Sequence, residues 1–160
     1  MSLRSAIVDG LIADAGINAV IAGRAFDMFY EFEDLLNRKA NRSKFPAITV
    51  ESETWENEQN QDGHDNLINT SLSITLYQQV HLGNMKSRSA TVRAAAKATL
   101  RAIDTLNDLV VSYLNSLSGA LGSYYIRNSH VTSVSDGIFE VEDNREIITK
   151  EIDLAILFGN

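Results

Sequence analysis

Residues 66–82 read NLINTSLSITLYQQVHL, and residues 89–117 read SATVRAAAKATLRAIDTLNDLVVSYLNSL. In the first stretch Ile68, Thr70, Leu72, Ile74, Leu76, Val80 and Leu82 share one parity. Asn69, Ser71, Ser73, Thr75, Gln79 and His81 share the other, with Gln78 and Tyr77 as the main breaks. A period of two is that of a strand with one buried and one wet face. In the second stretch Val92, Ala96, Thr99, Ile103, Leu106, Val110, Leu114 and Leu117 fall on one narrow stripe, the spacing of a long amphipathic helix from Ser89 to Leu117.

Upstream, Leu3, Ile7, Leu11 and Ala15 recur every four residues with Val8 and Ile12 beside them. This predicts an opening helix over Ser2–Ala15, capped by Ser2 or Ser5 and ended by Gly16. A turn through Gly23 leads to a short apolar segment, Ala25–Phe29, readable as a strand. Tyr30–Arg42 is charged and readable as a helical insertion. Pro46, the only proline, has no N–H for a ladder, so a strand is expected to begin after it and to run over Ala47–Trp55. The polar run Glu56–Asp65, ENEQNQDGHD, reads as a solvated hairpin loop.

Downstream of the long helix, Asn115–Gly122 reads as a turn. Tyr124–Val134 and Ile147–Phe158 read as strands joined by a polar loop at Glu142–Arg145. Strands joined mostly by hairpins, with segregated helices, predict an α+β fold. Its antiparallel sheet packs against one long helix, with a short N-terminal helix, as a single domain over 1–160.

Composition narrows the chemistry. A hydrophobic share of 44% and a charged share of 22% are those of a folding chain. The absence of cysteine removes disulfides, thiolate zinc sites and thiol catalysis together. Asp9 and Asp14 interrupt the N-terminal apolar residues, so no membrane span or signal sequence is read there, and a cytoplasmic place of assembly is expected. A net charge of −7 disfavours a general phosphate-backbone surface.

None of the three histidines, His64, His81 and His130, has a partner at ligand or catalytic spacing. Asp62, Gly63, His64 and Asp65, with Glu56 and Glu58 nearby, do not match a calcium loop. The glycines of SGALGS end a helix where a phosphate loop would open one. No enzyme, cofactor or metal is expected.

One charged feature stands out. Arg93, Lys97 and Arg101 lie at four-residue spacing away from the apolar stripe, with Asp104 and Asp108 continuing that face. This order opposes the helix dipole. A solvated face is one reading. The other is a contact between copies, in which this basic stripe meets the acidic stretch holding Glu56, Glu58 and Asp62.

The order of elements, with the phrases SLRSAIVDGLIADAGINAVIAGRAF (2–26), FPAITVESETWENEQNQDGHDNLINTSLSITLYQQV (45–80), the Ala-rich helix and EIDLAILF (151–158), resembles the tail terminator, or tail completion, proteins of long-tailed bacteriophages and prophages. The segment Tyr30–Lys44 is longer and more charged than that pattern. The resemblance implies a homohexameric ring in the virion tail. Such a ring caps the tail tube, ends its polymerisation and offers a surface for joining the head. The partners implied are further copies of the chain, the tail tube protein and the head–tail connector. A connector (neck) protein, or a monomeric adaptor unrelated to phage, is the alternative.

Overall fold

The computed structural model describes residues 2–27, 45–59, 66–141 and 145–159, with 52–59, 66, 139–141 and 145 described by backbone alone. The predicted elements at Tyr30–Arg42 and the tips of the two polar loops lie outside the described residues.

Two short helices open the chain where one was expected. Helix α1 is Leu3–Ala13, and the Ser2 hydroxyl accepts the Ser5 N–H at 3.1 Å. At Asp14 the backbone leaves the helical region, and its carboxylate accepts the Ile17 N–H at 2.9 Å. Asp14 thus ends α1 and starts α2, Ala15–Ile21. An acceptor side chain at an N-cap satisfies donors that helix geometry leaves orphaned, which is why the break falls there and not at Gly16. Ala22 and Gly23 both take positive φ, and the Asn18 side-chain oxygen accepts the Gly23 N–H.

Strand β1, Ala25–Phe26, then runs parallel to β2, Ala47–Gln59. Strand β3 is Asn66–Val80, and a 3₁₀ turn over Leu82–Lys86 leads into helix α3, Ala90–Ser116. Strands β4 (Gly119–Leu121), β5 (Tyr124–Val141) and β6 (Arg145–Gly159) complete one sheet of order β1-β2-β3-β6-β5-β4. Every pairing except β1 with β2 is antiparallel. The sheet curls, since α1 touches β1 and β2 at one margin and β4 at the other.

Among the described residues the chain is mixed α and β, with three helices and a six-stranded curled sheet; the expectation of one long helix on an antiparallel sheet is corrected in two respects. The parallel β1 follows from the tight turn at Ala22–Gly23, which delivers the chain to the free side of β2. The helical layer is also shared. Leu3, Ile7, Leu11, Ile17 and Ile21 are fully buried on α1 and α2, joining Ile103, Leu106, Val110 and Leu114 of α3 against Leu72, Ile74, Ile152, Ile156 and Phe158 of the sheet. Only the C-terminal half of α3 is deeply embedded. Toward its start Ala96 is buried, but Val92 is 37% exposed.

The expected wet face of β3 is corrected as well. Ser73, Tyr77 and Gln79 are buried. Cross-strand partners accommodate two of them: Tyr77 and Thr49 share a hydrogen bond of 3.3 Å, and the Ser73 hydroxyl donates to Glu151 at 3.1 Å. The polar stretch from Glu56 is corrected too, because β2 continues through Gln59 and leaves only residues 60–65 to connect it to β3.

Candidate functional site

The basic stripe on α3 is built by helical periodicity and divided by its surroundings. Arg93, half-buried, turns back to the segment before the helix and donates to the carbonyls of Ser87 at 2.5 Å and Arg88 at 3.1 Å. Those carbonyls precede the helix, so Arg93 fastens its entry. Lys97 and Arg101 are exposed and have no ion pair among the described residues. Asp104, one turn further on the same face, lies 3.1 Å from the Lys150 ammonium of β6, which also donates to Asp136 of β5 at 2.7 Å. The hydrogen bond to Asp136 raises the Lys150 pKa, opposed by desolvation and reinforced by Asp104.

This bridge orients the helix. The face carrying Lys97, Arg101 and Asp104 looks toward the outer part of β5, where Val134 and Ile138 are 44% and 63% exposed. Both pair with core-facing residues of β6, Ile152 and Ile148, yet the helix does not cover them. The result is an apolar strand surface beside a basic helical wall.

The margins of the sheet are open next to it. Strand β4 pairs with β5 only over Tyr124–Ile126. At Val131 the edge N–H donates to the Asn115 side-chain oxygen at 2.8 Å, and the Ser129 hydroxyl donates to the Leu114 and Leu117 carbonyls, tying the foot of β5 to the end of α3. From Thr132 to Val141 no strand flanks β5 on its outer side among the described residues. At the other margin β1 pairs with β2 only at Ile48 and Thr49, so β2 is likewise unflanked from Ser52 to Gln59 among the described residues.

The acidic candidates divide in the same way. Glu56 and Glu58 lie in β2 opposite Asn69 and Leu67, and Asp62 lies outside the described residues. The structure does not bring them to the basic stripe of their own chain. Asn69 and the end of β3 at Val80, which leads to α3, are separated by roughly 35 Å of strand. Sequence reading missed Lys150, Val134 and Ile138. The signal for Lys150 was present, a charged residue on the parity of Ile148, Ile152, Leu154, Ile156 and Phe158.

Of the three histidines, His64 lies outside the described residues, and His81 and His130 line separate hollows. His81 lines a groove of about 370 Å³ with Gln78, Val80, Asn84 and Val92. His130 lines a separate hollow of about 160 Å³ with Asn69, Asn128 and Leu157. His130 stands level with Ser71 through Ala155, which puts the two histidines roughly 30 Å apart along the sheet. Among the described residues no group of three or more His, Cys, Asp or Glu could hold a metal, and no helix is long and apolar enough to cross a membrane.

No family model matches this chain, and no curated protein matches it. Among solved structures it is similar to a chain from the virion of a native gene transfer agent particle, with a TM-score of 0.63 and 12% identity. The match covers 99% of this chain and 96% of that one. The two share a fold over nearly their whole lengths.

Proposed function

We propose that the chain is a non-enzymatic structural subunit of a phage-type virion. In its specific form it is a tail terminator, a homohexameric ring in the virion tail that caps the tail tube, ends its growth and presents a surface to the head connector. The observation that carries the reading is the correspondence of fold over 99% of the chain to a subunit of a virion particle. Two sheet margins that are open among the described residues, one beside a basic wall and one in an acidic stretch, support this reading, because unflanked edges suit the self-association a ring needs. A neck protein joining head to tail is the second reading, favoured by the same correspondence.

Within this proposal the contact between copies uses Lys97 and Arg101 on one side and the stretch holding Glu56, Glu58 and Asp62 on the other. Arg93 belongs to the helix entry. Light scattering during size-exclusion chromatography tests the reading, with a mass near six subunits expected. A monomer at every concentration and salt would overturn the ring. Capping of purified tail tubes, as against binding to purified head connectors, separates the two readings.

A further inference from the structure

We propose that copies of this chain join by continuing one sheet into the next, the stretch of β2 (Ser52–Gln59) that no described strand flanks adding to the edge of β5 (Thr132–Val141) that is likewise unflanked among the described residues, in a neighbouring copy. This rests on the ring reading and names the contact within it. An unflanked edge presents free N–H and C=O groups in register, and proteins that do not use such an edge shorten, charge or cover it. Here the outer part of β5 carries exposed Val134 and Ile138; of the two carboxylates on that parity, Asp136 is engaged by Lys150, and Glu140 lies near the far end of the strand, level with Glu146.

Three features select β2 of a second copy as the occupant. Charge is the first: residues 51–58, ESETWENE, hold Glu51, Glu53, Glu56 and Glu58 with no Lys or Arg, whereas Lys97 and Arg101 stand on the α3 face turned toward β5. Pairing β2 with another β2 would set these carboxylates against one another. Strand direction is the second. Each of the steps β2 to β3, β3 to β6 and β6 to β5 is antiparallel, so β2 and β5 run in opposite directions, and continuing the sheet gives the ordinary antiparallel ladder.

The third is the position of the short margin strands. Asp136 stands level with Lys150, Leu76 and Ile48, so the open part of β5 lies at the height of β1, while the open part of β2 lies toward the height of β4. Neighbours joined through these stretches are staggered along the strands by about eight residues, on the order of 25 Å. Stagger at every step closes into a ring when the strands tilt from its axis, as in a barrel.

The natural absence of cysteine makes a direct test available. Ser135→Cys in β5 is combined in turn with Glu53→Cys, Glu56→Cys or Glu58→Cys in β2, since strands in a ladder lie within disulfide reach. Each variant must first keep the wild-type mass when reduced. On oxidation at least one double variant is expected to give a ladder of covalent multimers on a denaturing gel, with every single variant remaining monomeric there. Wild-type mass with no cross-link in any double variant overturns the sheet continuation and leaves the ring standing. A cross-linked dimer from Ser135→Cys alone overturns it in favour of two β5 edges pairing. A protein that is monomeric before oxidation overturns the ring reading and this inference together.

Discussion

Reversing two exposed cations of the helix, Lys97→Glu with Arg101→Glu, tests whether the basic wall holds copies together or is merely solvated. Both side chains are exposed, and neither has an ion pair among the described residues, so the fold of a single copy loses no described contact. Exposed substitutions of this kind move stability by about 0.5 kcal/mol or less. Between copies the balance differs. An exposed pair contributes about 0.2–1 kcal/mol, and reversal replaces attraction by repulsion at two positions. The expected cost is therefore about 1–3 kcal/mol per contact, roughly a 5- to 150-fold weaker association. Sedimentation velocity over a dilution series reads that shift directly, and thermal denaturation of the dissociated variant reads its folding. Wild-type protein in about 1 M salt, where screening contracts to about 3 Å, should weaken in the same direction, and the variant should be much less sensitive. Association unchanged in the variant would refute the electrostatic contact. A large fall in melting temperature would instead assign Lys97 and Arg101 to the folded core of a single copy, against their exposure. Arg93 is left out of this variant because it binds the Ser87 and Arg88 carbonyls, and its loss would confound folding with assembly.

Lys150→Met should cost about 1 kcal/mol in urea denaturation at neutral pH, since its partners Asp136 and Asp104 are 78% and 65% exposed and water screens both pairs. The Lys150 pKa is raised in the fold, chiefly by Asp136, so its contribution is fully present below the unfolded value of about 10.4 and fades as pH climbs through the higher folded value; the gap between wild type and variant should shrink over that window. Gly10→Ala should destabilise by about 1–3 kcal/mol despite the better helix propensity of alanine, because a Cβ there would run into the Tyr113 hydroxyl oxygen. In a Tyr113→Phe background the same change should cost clearly less, as read by chemical denaturation of all four proteins; equal costs in both backgrounds would place the strain elsewhere.

The long elements were legible because each buries a face for many residues, and burial imprints its period. Ile103, Leu106, Val110 and Leu114 were read as helix and are buried as helix, and Leu72, Ile74 and Leu76 were read as strand and are buried as strand. The N-terminal break was less legible. Asp14 stands between two apolar runs of helical spacing, and only its hydrogen bond to the Ile17 N–H shows that it caps a second helix. The opposite face of β3 misled for a related reason. Ser73 and Tyr77 are polar by composition but buried, and their partners Glu151 and Thr49 come from other strands, which periodicity along one strand does not encode.

Strand β4 escaped the sequence altogether, and β1, readable as a strand over Ala25–Phe29, gave no sign of its parallel pairing; these two short strands shape the proposed contact. Two or three residues are too few to carry a period, and both strands arise from neighbouring turns, Ala22–Gly23 before β1 and Gly119 and Gly122 around β4, where positive φ folds the chain back against a longer strand. Each covers one end of a margin and leaves the rest of β2 or β5 unflanked among the described residues, at opposite heights of the sheet. A chain that completed both margins would have no edge to offer, and one that left both bare would pair in any register. In the proposed contact, partial caps at opposite corners would limit the heights at which a neighbour can pair, which is a way to set the stagger of a ring without a motif that sequence patterning could reveal.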